Sequence, residues 1–107
     1  MPLFLYHGKY INAGTRALVS DSGTKREAAI RTLIESVGGT CLGVYFGTDS
    51  DAYAIANLPD TKAATFVNLT WNATGRLDVK MVPLLAPAEF DKVCQTPLTP
   101  EFRGPGE

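Results

Sequence analysis

Two short apolar runs, TCLGVYFG at 40–47 and AYAIANL at 52–58, are separated by only four polar residues, Thr48-Asp49-Ser50-Asp51. Runs this close in sequence pair antiparallel, because a parallel pair needs a crossover of a dozen residues or more. The connector has the short polar composition of a hairpin loop, and the runs are enriched in the Tyr, Val, Ile and Phe that suit strands. Whatever else the chain does, it must be built around this hairpin.

The flanking segments supply the remaining elements. LFLYHGKY at 3–10 is a strand, with Leu3, Leu5 and His7 on one face and Phe4, Tyr6 and Tyr10 on the other. Asn12-Ala13-Gly14 breaks it, and Thr15 to Ser20 form a short helical turn. Thr24-Lys25-Arg26-Glu27 has the spacing of a capping box, and Ile30, Leu33, Ile34 and Val37 follow as one apolar helical stripe. Gly38 supplies the left-handed stop. After the hairpin, Asp60 caps a second helix whose apolar face is Ala63, Phe66, Val67, Thr70 and Trp71, ending at Gly75. LDVKMVPLL at 77–85 is the last strand, and Pro83 favours an edge position or the strand's end. Pro87-Ala88-Glu89-Phe90 starts a short helix. The chain is thus one domain, residues 1–93, with an irregular tail over 94–107 rich in Pro and Gly.

Strand, helix, strand, strand, helix, strand, joined by right-handed crossovers, gives an α+β fold of the ferredoxin-like βαββαβ type: a four-stranded antiparallel sheet with its helices on one face. Such helices cover only one side. Phe4, Tyr6, Tyr10, Val44, Tyr45, Phe46 and Tyr53 cannot all lie there, because neighbours in a strand alternate. A naked face of that composition exceeds the few hundred Å² of apolar patch that monomers usually carry. The expectation is a homodimer or higher homo-oligomer in which sheets pack face to face as a dimeric α/β barrel.

Composition removes other classes. A net charge of −1 gives no electrostatic case for nucleic acid or an anionic membrane. No run approaches the roughly 18 apolar residues of a membrane helix, and MPLFLYHGKY lacks the basic start of a secretory signal, so the expected setting is cytoplasmic. Cys41 and Cys94 are not a C-x-x-C pair, and one histidine cannot complete a typical zinc set. They are read as two buried, inert thiols. No cofactor and no metal site is expected.

Particular residues resemble the GYD-domain family, a group of small bacterial and archaeal proteins: Lys9-Tyr10 with Gly14, Lys25-Arg26, LIESVGG at 33–39, Tyr45-Phe46, Asp51 and LPD at 58–60. The similarity extends to LLAPAEF at 84–90. It implies the dimeric α/β barrel and no particular activity. The Gly-Tyr-Asp signature itself is altered: Asp51 is kept, and Ser50 stands where the tyrosine belongs. A ligand served by that tyrosine in relatives would be served here by Tyr45 or Tyr53.

Among candidate chemical groups, His7 is the only histidine and the natural general base. The bland reading, an interface or core histidine, carries about twice the weight, since no nucleophile or paired acid is fixed by the sequence. Tyr6 and Tyr53 are candidate donors to a developing oxyanion. Tyr10, Tyr45, Asp51 and Trp71 are candidate ligand-binding residues, the aromatic ones suited to a planar small molecule. Asp49 and Asp51, two apart in a turn, cap backbone amides more often than they hold a metal. Lys80 and Arg76 suit a carboxylate or phosphate, although solvated strand-end charges are commoner.

Three functions follow. The first is a binding module for a small, partly apolar or aromatic ligand in the barrel or dimer cleft. The second is a cofactor-independent isomerase or monooxygenase with His7 as base, an analogy to other dimeric barrels. The third, an RNA-binding module of the same strand order, ranks last: DAYAIANL carries no Lys or Arg.

Overall fold

The computed structural model describes residues 1–11, 13–98 and 103–106; Asn12 and part of the expected tail lie outside the described residues. The elements run β1 (Leu3–Tyr10), α1 (Ala13–Asp21), α2 (Gly23–Ser36), β2 (Thr40–Phe46), β3 (Ala52–Asn57), α3 (Thr61–Ala73), β4 (Leu77–Leu84) and α4 (Pro87–Cys94). The strands form one antiparallel sheet in the order β2-β3-β1-β4. This is the α+β, ferredoxin-like arrangement expected from the element order. β4 is an edge strand, which lets Pro83 sit in it without removing a central ladder bond. No helix among the described residues is long and apolar enough to cross a membrane.

The helical segments depart from expectation in four places. The turn expected at 15–20 is a helix of nine residues, α1. It runs almost directly into α2 through Ser22, at φ 73°, whose amide donates to the Leu18 carbonyl. Thr24 consequently lies inside α2, so the expected capping box is not formed; Ser22 is the N-cap and makes no side-chain cap. Glu27 turns instead to Arg31, one helical turn on, at 3.1 Å. On α3 the buried stripe is Ala64, Val67 and Trp71, while Phe66 is exposed. The expected face had included Phe66 and Ala63 in place of Ala64. Finally, Cys94 is exposed on α4; only Cys41 is buried, and both thiols are free.

Other local signals act as read. Ile30 and Ile34 are buried, with Leu33 and Val37 packed beside them. Gly38 takes φ +84°, and the amides of Gly38 and Gly39 close on Glu35 and Ile34 to end α2. The Asp60 carboxylate accepts the Ala63 amide at 2.8 Å.

The core lies between the helices and one sheet face. β3 presents only alanines to it, Ala52, Ala54 and Ala56, all buried. These small residues leave room for Phe4 and Tyr6 of β1. Tyr6 meets Trp71 edge to face, centroids 5.0 Å apart, and its hydroxyl donates to the Ala64 carbonyl at 2.7 Å. Full burial of one large apolar side chain such as Ile34 is worth about 1.5–3 kcal/mol.

Among the described residues no helix buries side chains against the other sheet face. Register places its side chains in rows that cross the whole sheet. Tyr45, Tyr53, His7 and Lys80 make one row; Gly43, Ile55, Leu5 and Val82 make the next; Thr40, Asn57, Leu3 and Leu84 make the third. The bulge in β2 between Cys41 and Gly43 brings Gly43 to this face. A Cβ there would lie 2.8 Å from the Tyr45 ring, so glycine is what lets that ring lie across the strand.

Candidate functional site

The centre of the helix-free face is His7. Strand alternation turns it away from the core that holds Tyr6, and pairing sets it between Tyr53 and Lys80. Asp51, immediately before β3, closes the hairpin loop: its carbonyl accepts the Gly47 amide at 2.9 Å, and Ser50 takes φ 68° at the turn. The loop thereby aims the Asp51 carboxylate along the sheet toward β1. His7 Nε2 and Asp51 Oδ2 are 2.7 Å apart, with the side chains 40% and 12% exposed.

Two further residues complete the arrangement. The ring of Tyr53 stacks on the His7 imidazole, centroids 4.5 Å apart and planes 19° from parallel. The Tyr53 hydroxyl donates to Asp49 Oδ2 at 2.5 Å, and the other Asp49 oxygen accepts the Asp51 amide at 3.0 Å. His7, Asp51, Asp49 and Tyr53 thus form a closed circuit of contacts in which each fixes the next.

This circuit determines what each group can do. An ionised carboxylate only accepts, so the neutral imidazole carries its proton on Nε2 and keeps its lone pair on Nδ1. Nδ1 makes no hydrogen bond among the described residues. Asp49 is held below the usual carboxylate range, first by the Tyr53 hydroxyl and then by the Asp51 amide. The same bond to Asp49 is the main reason the Tyr53 phenol is pushed up to about 12. Tyr53 therefore serves His7 as a stacking partner, and its proton is engaged by Asp49. His7, Asp49 and Asp51 each offer a ligand atom within 4.8 Å of the others, the one such group among the described residues; both Asp49 oxygens and Asp51 Oδ2 already take part in protein hydrogen bonds.

The structure brings His7, Asp51 and Tyr53 together and sets Tyr45 beside Tyr53, largely exposed. It does not bring Tyr6, Tyr10 or Trp71 to them. Those three lie on the helix side, around a cavity of about 30 Å³ that they share with Arg26 and Ile30, room for a water or two. Burial pushes the Tyr6 phenol up to about 12, and its hydroxyl is committed to Ala64. Asp49 joins the site through Tyr53, a role the turn reading did not give it. Its signal was the i, i+4 spacing of Asp49 and Tyr53 across the loop.

A family model described as the GYD domain matches residues 4–94. The chain belongs to this family. The match spans β1 through α4, so the whole described sheet and its helices are the GYD domain. Neither a curated protein nor a solved structure matches the chain. In this GYD domain Ser50 is at the exposed loop tip, while Asp51 beside it is the carboxylate that holds His7.

Proposed function

We propose that this GYD domain is a homo-oligomeric binding module: two copies oppose their helix-free sheet faces, and the cleft takes a small, partly apolar ligand beside His7. One observation carries the reading. A single oriented imidazole, pinned from below by a nearly buried carboxylate, stands in a field of Leu3, Leu5, Ile55, Val82 and Leu84. Apolar side chains in that number disfavour a face left in water, and a fixed polar group among them is how small-ligand sites obtain orientation. Packing alone needs no imidazole held at one nitrogen with the other left open.

A second reading rests on the same dyad. With Nδ1 holding the lone pair, His7 can take a proton from an acidic carbon, the C–H electron pair passing into an adjacent carbonyl, as in a cofactor-independent isomerase or the first step of a monooxygenase. Neither candidate tyrosine supports it: Tyr6 lies across the sheet, and the Tyr53 proton is engaged by Asp49. The binding reading therefore comes first.

A thermal-shift screen of quinones, lactones and aromatic acids tests both. Stabilisation by one class that disappears in His7→Ala supports a ligand at this face; stabilisation unchanged by His7→Ala removes His7 from the site. Turnover of the stabilising compound, lost in His7→Ala with assembly intact, selects the enzyme.

A further inference from the structure

We infer that the ligand of this face is a small organic carboxylate with an apolar body, its carboxylate held by Lys80 next to His7. The inference rests on the reading above that the face takes a ligand, and names its chemical class.

Lys80 continues the row Tyr45, Tyr53, His7 across to β4, one strand spacing (about 4.8 Å) from His7. Burial alternates along β4, with Val79 inside and Asp78, Lys80 and Val82 outside, so the ammonium belongs to the helix-free face. It makes no ion pair among the described residues; Asp51 is taken by His7 and Asp49 by Tyr53, and Asp78, two residues before Lys80 on the same face, stands opposite Lys9 of β1. A second copy covering the face withdraws this ammonium from water, which is strongly disfavoured without a counter-charge. A ligand carboxylate provides that charge. The adjoining row of Ile55, Leu5 and Val82 offers an apolar floor to the rest of the molecule.

The charge balance also selects against phosphate. Asp49 and Asp51 lie beside His7 in the same site and repel a dianion more strongly than a monoanion. The two helices that build the core, α2 and α3, pack against the opposite side of the sheet, so neither aims its N-terminus at this site to cradle a phosphate.

The single histidine makes the test clean, since all imidazole signals come from His7. The full chain is titrated with benzoate, phenylacetate and hexanoate and with their uncharged amides, following the His7 ring by nitrogen-15 NMR. The acids are expected to shift the ring and to bind roughly tenfold or more tightly than the amides, the worth of one charge-assisted hydrogen bond. Lys80→Met is expected to reduce the acids to the level of the amides, and Lys80→Arg to retain them; sedimentation shows whether each variant keeps the parent assembly. Amides binding as well as acids, or acids unaffected by Lys80→Met, overturns the carboxylate while leaving a ligand site in place. If neither class perturbs His7, the ligand reading of the face falls, and this inference with it.

Discussion

The imidazole of His7 and the carboxylate of Asp51, 44 positions apart in sequence, meet at 2.7 Å on the helix-free side of the sheet. Neither is placed by a local motif: β1 supplies one, and the hairpin loop supplies the other. The pairing fixes which imidazole nitrogen is occupied, and so which one faces chemistry.

That relationship has a spectroscopic consequence. Nitrogen-15 shifts of the neutral His7 ring are expected to report one tautomer, protonated at Nε2. In Asp51→Asn the side-chain amide can donate as well as accept, and both tautomers are expected to be populated. A parent protein with a tautomer mixture like that of free histidine contradicts the dyad. Asp51→Ala should also cost about 1 kcal/mol in urea unfolding, the usual worth of a hydrogen bond of this kind.

Tyr6 answers a different question, how the helix side is held. Tyr6→Phe removes the bond to the Ala64 carbonyl and is expected to cost about 1 kcal/mol. In a domain of this size that is about 4–8 °C in Tm. The alkaline limb follows from the raised phenol. Below pH 10, the ordinary tyrosine value, folded and unfolded chains are both protonated and the contribution is intact. From pH 10 to about 12 the unfolded chain releases the proton first, so stability falls as pH rises. Tyr53, raised to about 12 through Asp49, adds to the same window. Tyr6→Phe should flatten this fall without abolishing it; an unchanged slope contradicts the burial of a protonated Tyr6.

The two helix starts separate a cap that forms from one that does not. Asp60→Ala loses the acceptor for the Ala63 amide and is expected to cost about 1 kcal/mol, with Asp60→Asn recovering most of it. Thr24→Ala, inside α2, is expected to stay within about 0.5 kcal/mol of the parent. A loss at Thr24 as large as that at Asp60 would show that α2 starts with the capping box after all.

The contrast at Thr24 indicates how far the sequence could be read. Apolar periodicity located every strand, because the Thr48–Asp51 connector and the alternation in LFLYHGKY leave few choices. The Asp60 cap and the Gly38 stop acted locally, as their chemistry requires. Thr24-x-x-Glu27 failed because a capping box needs a free helix start, and α1 leads into α2 with only Ser22 between them. The face of α3 was misread because Phe66 is more apolar than Ala64, yet it is Ala64 that is fully buried, where its carbonyl accepts the Tyr6 hydroxyl. The site was half legible. His7, Asp51 and Tyr53 were each identifiable as residues, but their meeting depends on the register of β1 against β3, in which Tyr53 lies opposite His7 and Asp51 two residues before it. A single sequence does not state that register. Tyr6 was drawn into the site for the same reason: next to His7 along the chain, it is on the opposite side of the sheet.

The proposed function turns on the covering of the helix-free face, and sedimentation velocity of the full chain at micromolar concentration addresses that most directly. The expected result is a species of about twice the 11.5 kDa chain mass, or a higher multiple, reduced to a single chain by Leu5→Asp on the apolar row. A parent protein that sediments as one 11.5 kDa chain, its row of Leu5, Ile55 and Val82 open to solvent, contradicts it.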